Sequence, residues 1–426
     1  MAQVNRQQRL ERILSFEDAR SVVLDHAASL TNLSRESEEV GLLDSLQRTL
    51  AEDIRADRDF PPFPRAARDG YALRAEDVQK TVAELRVVGE IRAGGDLPIG
   101  FTRLEQGQAI TIMTGAPVPA GANAVVMVEY TEREQGRVRV LRSVATGENI
   151  VPQGSEGAVG SVLAPSGTVI LPAQIALAAA VGKAQLSVHR RPRVAVLPTG
   201  DEIVAITDAP KANQIRNSNS FSLAAQVIAA GGQPVQLAIA TDNPERLREL
   251  IEQGLESDLL LMSGGVSAGD YDLVEDVLAD FSAEFLFTGV EIQPGKPLVF
   301  GRARALRSAP ERWIYFFGLP GNPISTMVTF ELFGRSMIRA LAGAWAEPLH
   351  GTRARLARSV NVKLGLTRFL PARLGGTWNN AEVETVKWQG SGDVAAFGRA
   401  DCLLVIPPDR EHFDVGEMMT VLPLSH

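Results

Sequence analysis

From Arg193 onward, short all-apolar runs alternate with Gly-rich loops and amphipathic stretches, and this rhythm leaves few folds open. Val194-Ala-Val-Leu197 has no polar face, as in a strand buried on both sides. A helix from about Phe221 to Ala230 stops at Gly231-Gly232, because glycine enters the left-handed region at little cost. Val235 to Ala240 is the next predicted strand. Thr241-Asp-Asn-Pro244 then opens a helix with a cap and a proline in its first turn. Asp258 to Met262 reads as a strand and Tyr271 to Phe281 as a helix. Phe285 to Ile292, Leu298 to Phe300 and Trp313 to Phe317 read as strands, and Ile324 to Ala342 as one long helix. Such alternation specifies a doubly wound, mostly parallel sheet covered on both faces.

The flanks follow a different grammar. Ser15-Phe-Glu-Asp18 reads as a capping box, with the hydroxyl accepting from the Asp18 amide and the carboxylate reaching back. Val22, Val23, Ala27 and Leu30 then follow at helical spacing. Phe60-Pro-Pro-Phe-Pro64 forbids helix and marks a boundary. Leu85–Val88, Ala109–Met113, Ala124–Val128 and Val138–Leu141 are strand-like runs between Gly and Pro turns. The stretch from about 150 to 170 is turn-dense, an elongated connector. Beyond Trp345 short strands return, ending in Cys402–Ile406 and Met419–Leu422. The expected chain is multidomain α/β plus β. Residues 1–60 and 150–188 form an elongated linker domain, 61–149 a β-rich domain, 189–345 the α/β domain, and 346–426 a small C-terminal β-barrel-like domain.

Charge and composition restrict function. Lys plus Arg number 43 against 51 Asp plus Glu, a net charge of -8, which argues against a general nucleic-acid or anionic-membrane binder. The single cysteine, Cys402, rules out disulfide frameworks, iron–sulfur clusters and Cys-built zinc sites, and fits a reducing cytosol. Five histidines include no ligand-spaced pair, so metal chemistry here would use carboxylates and oxygen. Residues 1–20 lack the apolar run of a secretory signal. The Ala-rich run Ile175–Val181 falls well short of the roughly 20 residues that span a bilayer and reads as core.

In an open parallel sheet, ligands bind beyond the carboxyl ends of the strands. The loops expected there are Pro198-Thr-Gly-Asp-Glu202, Thr241-Asp-Asn-Pro244, Ser263 to Asp272, Gln293-Pro-Gly-Lys-Pro297 and Gly318 to Ser325. Taken singly, each can be a turn or a helix cap, as can Asp69-Gly70 and Thr114-Gly-Ala-Pro117. Together they point to a phosphate-and-metal site. Glycine lets backbone amides approach a phosphate. Asp201, Glu202, Asp242 and Asp270 on the same rim would repel that phosphate unless a cation intervened. Mg²⁺ is the natural mediator because it shares oxygen ligands between carboxylates and phosphates.

In this order, Pro61 to Tyr71, Ile112 to Pro119, Thr199 to Glu202, Ser263 to Asp272, Pro294 to Pro297, Leu319 to Ser325 and Gln389-Gly-Ser-Gly-Asp393 resemble the molybdopterin molybdenumtransferases, relatives of the C-terminal half of gephyrin. The resemblance implies that molybdate is inserted into adenylylated molybdopterin with Mg²⁺, releasing AMP and molybdenum cofactor. The pterin's own dithiolene would ligate molybdenum, so no protein cysteine is needed. It makes the α/β domain molybdopterin-binding. It implies metal and pyrophosphate roles for Asp242 and Asp270, with Asp201, Glu202 and Gly200 nearby. Ser263, Gly264, Gly265, Ser267, Gly269, Pro320, Gly321, Asn322 and Ser325 match pterin-phosphate loops. Lys296, beside Gly295, would steady molybdate or the departing phosphate. Ser391 and Arg368 would lie near that oxyanion. Thr114, in the β-rich domain, would reach the cleft of the other subunit of a cytoplasmic homodimer, and Asp69 would bind substrate. Molybdopterin adenylyltransferase and molybdoenzyme apoproteins are the expected partners.

Two departures stand out. Many relatives have Asp-Asn-Ser-Ala-Met-Asp-Gly where this chain has Pro64-Arg-Ala-Ala-Arg-Asp-Gly70, and Lys-Pro-Gly-Lys where it has Gln293-Pro-Gly-Lys296. The second removes a positive charge from the expected anion site. The competing readings are a molybdopterin adenylyltransferase, whose single domain resembles residues 189–345 only, and a non-catalytic gephyrin-like scaffold.

Overall fold

The computed structural model describes residues 12–30, 35–79, 82–241, 243–264, 271–304 and 312–424. Helix α1 (Phe16–Leu30) opens the described chain. The Asp18 amide donates to Ser15 Oγ at 3.1 Å, as expected of a cap. The Asp18 carboxylate, however, accepts a hydrogen bond from the Ser15 hydroxyl at 2.7 Å rather than from the Ser15 backbone amide, so half of the box forms.

The α/β unit contains β1 (Arg193–Pro198), α2 (Asn219–Ala229), β2 (Gln233–Gln236), α3 (Pro244–Gly254), β3 (Leu259–Ser263), α4 (Tyr271–Ala279), β4 (Glu284–Phe287), β5 (Val299–Arg304) and β6 (Trp313–Leu319). Helices α5 (Pro323–Thr329) and α6 (Arg335–Leu341) follow. The sheet runs β2-β1-β3-β6-β5-β4; the first four strands are parallel, and β5 runs antiparallel to both of its neighbours, β6 and β4. Val194 and Val196 enter one apolar cluster while Ala195 and Leu197 enter the other. That division explains the all-apolar run: side chains alternate across a strand, and here both faces are covered.

Three sequence expectations are corrected. Phe285 to Ile292 is not one strand. After β4 the chain leaves the sheet, Gly289–Val290 pairs with Ile13–Leu14, and Ile292–Gln293 joins the C-terminal domain. The strand expected over Val235 to Ala240 lies earlier, as β2, and beyond it the chain stays beside β1 only through single bonds such as Leu237 N–H to Val196 O and Ala240 N–H to Pro198 O. The helix expected over Ile324 to Ala342 is α5 and α6 joined by a π turn at Phe330–Gly334. At that turn Arg20, buried at 4% exposure, donates to Leu332 O and to Ser336 Oγ. Burial lowers its pKa to about 10. Helix α1 accordingly packs on the α/β unit, with Ala19, Val23 and Ala27 in the cluster that holds Val194 and Val196.

The linker hairpins pair Ser37–Gly41 with Gln185–His189 and Ile54–Arg55 with Val162–Ala164. Leu50, Ile54, Ala164, Ile170 and Leu186 form their shared core. The β-rich domain is a six-stranded sheet with Gly70–Leu73 between Ala124–Met127 and Gln108–Ile112. In the C-terminal domain, Thr367–Thr377 pairs with both Asn380–Thr385 and Cys402–Ile406, closing five strands into a barrel. No helix among the described residues is long and apolar enough to cross a membrane.

Candidate active site

Backbone hydrogen bonds hold the carboxyl edge of the α/β sheet together across its loops. Thr199 N–H donates to Ser263 O at 2.9 Å, Gly200 N–H to Ala240 O at 3.1 Å, and Gly264 N–H to Leu319 O at 3.2 Å. The loops after β1, β2, β3 and β6 therefore meet on one edge. Gly264 has φ +97°, and a Cβ there would lie 2.4 Å from Thr199 O. Only glycine permits that approach. Gly321 lies beside it at ordinary contact distance: its Cβ would lie 3.4 Å from Gly264 Cα.

Asn219, at the start of α2, is the bridge that sequence reasoning passes over. Its side-chain amide donates to Ser263 Oγ at 2.9 Å and to Gly321 O at 2.7 Å, with Thr326 Oγ1 at 3.3 Å. Thr326 Oγ1 also donates to Pro320 O. In sequence Asn219 looks like one more polar residue before a helix; its partners lie 44 to 107 positions away. Thr199 Oγ1 and Asn219 Oδ1 are buried without a hydrogen-bond partner among the described residues. Buried oxygens of this kind are costly unless something polar completes them.

Of the acids expected on this edge, Asp201 and Glu202 are exposed beside Gly200, and the Glu202 carboxylate folds back over that glycine. Asp242, Gly265, Ser267, Gly269 and Asp270 lie outside the described residues. Among the described residues no group of three or more His, Cys, Asp or Glu side chains forms a metal cluster. Cys402 is buried in the barrel, where burial first and Asp401 second push its thiol up to about 12. A thiolate ligand or nucleophile from it is therefore excluded near neutral pH.

The barrel completes the edge from the other side. Ile292–Gln293 runs parallel to Thr367–Arg368. Arg368, 7% exposed, donates from Nε to Gln293 Oε1 at 2.8 Å and from Nη1 to Leu366 O at 3.2 Å. Gly295, at φ +113°, lies so near α5 that a Cβ would come within 2.4 Å of Thr329 Cγ2. Ser391 O accepts from Ile324 N–H at 2.9 Å, which seats the barrel loop on the first turn of α5 beside Asn322 and the buried Ser325. Lys296 is exposed. Gln293, Gly295, Arg368, Ser391 and the loop from Pro320 to Ser325 are thus gathered around one helix.

Thr114 and Asp69 are brought together elsewhere, in the β-rich domain. Thr114 donates to Asp69 Oδ1 from its backbone N–H at 2.7 Å and from its hydroxyl at 2.8 Å. These two bonds, the backbone one first, hold the Asp69 carboxyl below its ordinary range. Both bonds stay within that domain.

Three family models match the chain. Residues 14–182 match the MoeA N-terminal region (domain I and II), 195–340 a probable molybdopterin binding domain, and 353–424 the MoeA C-terminal region (domain IV). A molybdopterin molybdenumtransferase of Nostoc is 39% identical over 96% of this chain and 94% of its own length. That of Bacillus subtilis is 33% identical over 91% and 90%. A crystal structure of a molybdopterin biosynthesis MoeA protein from Pyrococcus horikoshii superposes with a TM-score of 0.74 at 28% identity, covering 97% of this chain and all of that one.

Proposed function

The chain belongs to the molybdopterin molybdenumtransferase family, and from that premise we propose that it inserts molybdate into adenylylated molybdopterin, with Mg²⁺-dependent release of AMP. The observation that carries this reading is the hydrogen-bonded edge. Its glycines let the loops after β1, β3 and β6 close on one another, and the hydroxyl of Thr199 is buried with no partner among the described residues. An unpartnered hydroxyl beside a glycine turn can donate to a phosphoryl oxygen.

The donor chemistry fits Mg²⁺. Asp201, Glu202 and the unpartnered Asn219 Oδ1 are hard oxygen donors, and the one cysteine is buried in the barrel. Asp242 and Asp270 would hold the ion. When bound, it neutralises phosphate charge and stabilises the AMP leaving group. The chain's own part is positional. Ser263, Gly264, Gly321 and Asn322 cradle the pterin phosphate, and Asn219 keeps the two loops in register. Lys296 attracts the molybdate oxyanion as a point charge. Arg368 and Ser391 shape its seat from the barrel side.

The enzyme acts as a homodimer in the cytoplasm, with Thr114 and Asp69 of one copy completing the edge of the other. Their place in the β-rich domain supports this reading. The adenylyltransferase supplies the substrate and molybdoenzyme apoproteins receive the product.

The test incubates the purified protein with adenylylated molybdopterin, Mg²⁺ and molybdate and follows AMP. Asp270→Ala and Lys296→Ala should each suppress release while leaving the fold intact. Unchanged turnover in both removes the site assignment. Pyrophosphate release from ATP and molybdopterin would instead make the protein an adenylyltransferase, and no product in either assay would make it a scaffold.

A further inference from the structure

A cavity of about 320 Å³ opens between the linker hairpins, the C-terminal end of helix α2 and helix α6. Arg48, His189 and Arg191 line it from the hairpin side, and Arg335 and Arg339 from the helical side. Not one of its lining residues is Asp or Glu, although the chain carries eight more acidic than basic groups.

Some of this charge is balanced from behind. Arg48 pairs with Glu38, Arg335 with Glu331 at 2.6 Å, and Arg339 stands 3.9 Å from Glu347. Some of it serves helix ends: Arg335 Nη1 lies 3.5 Å from Ala229 O. A helix C-terminus carries about half a negative charge, and one cation answers it. Arg191 is left over. Its guanidinium makes no hydrogen bond or ion pair among the described residues, and His189 Nδ1 is buried without a partner. Burial and then the nearby charge of Arg48 lower the Arg191 pKa, while Glu38, which pairs with Arg48, opposes them without reversing the direction.

We propose that this cavity is a binding site for a small phosphorylated metabolite, separate from the active edge. Arginine's planar fork matches phosphate oxygens. Val169, Leu171 and Ala344 supply an apolar wall for the rest of the molecule, and the volume lies within the range of small-molecule sites. The cavity shares no lining residue with the active edge. Two helical elements nonetheless join them: α2 begins at Asn219 and ends beside the cavity, and the α5–α6 rod begins at Ser325's turn and carries Arg335 and Arg339.

His189 gives a local readout, since it lines this cavity and no histidine lies on the active edge. Inorganic pyrophosphate is titrated into the full chain at low ionic strength without Mg²⁺, and the histidine ring resonances are followed by NMR, with His189→Gln fixing the assignment. The expected result is a saturable shift of the His189 signals that weakens at least tenfold in Arg191→Gln and in Arg339→Gln, while both variants retain AMP release. No saturable shift, or a shift of undiminished affinity in both arginine variants, overturns the proposal.

Discussion

Gln293 Oε1 accepts a hydrogen bond from Arg368 Nε at 2.8 Å, tying the loop before Lys296 to the barrel strand paired beside it. The acceptor oxygen of this glutamine complements the buried guanidinium, where an ammonium would repel it. Arg368 is thereby held in a defined place beside the loop that carries Lys296.

Gln293→Ala should cost about 1.5–3 kcal/mol by urea unfolding, as one hydrogen bond to a charged group is lost. It should also raise the molybdate KM of AMP release more than it lowers kcat. Gln293→Lys should do the same, because a like charge faces Arg368. A variant with wild-type KM for molybdate would show that this pair does not shape the anion seat.

Gly264→Ala should be among the most damaging single-methyl changes in the chain. The left-handed backbone alone costs roughly 1–3 kcal/mol for a non-glycine residue, and the new Cβ would sit 2.4 Å from Thr199 O. Relief requires the loops after β1 and β3 to part. AMP release should fall more than tenfold, and thermal unfolding should show a lower Tm. Full activity would mean that the contact between these loops is dispensable.

Thr114→Val keeps the backbone bond to Asp69 and removes the hydroxyl bond. The Asp69 pKa should rise part of the way to its ordinary value, read by carboxyl NMR titration. AMP release should drop with the Tm unchanged, since both residues are exposed. Mixing Thr114→Val with Lys296→Ala should restore part of the activity if the two residues serve one site from different subunits.

His26 and His189 are both held below the usual histidine range. Burial is the main cause for each, followed by Arg302 at His26 and Arg35 at His189. Asp25 and Glu284 oppose this at His26 without reversing it. The folded chain therefore keeps both rings neutral at a pH where the unfolded chain binds protons. Stability should be full above the ordinary pKa of about 6.5 and be lost as pH falls toward the folded values. Melts between pH 7.5 and 5.5 should show Tm falling with pH, with a shallower slope in His26→Gln. An identical slope would assign the loss to other groups.

The strand, loop and helix rhythm from Arg193 to Ala342 and the glycines of the edge loops are local properties: alternation, caps and turn residues act over a few positions, so the sequence alone determined the α/β architecture and which loops to examine. It also placed Ser263, Gly264 and Gly321 on the same edge, since the ends of parallel strands fall together. Tertiary structure alone decided what depends on contacts between remote segments. Phe285 to Ile292 is as apolar as a strand, yet it breaks because the barrel offers Thr367–Arg368 as a partner. Helix α1 has an apolar stripe that could cover any surface, and the buried bond from Arg20 to Leu332 O, 312 positions away, selects the α/β unit. Asn219 acquires its role only when Ser263 and Gly321 arrive beside it, because a side-chain amide has no way to mark in sequence which distant oxygens it will join.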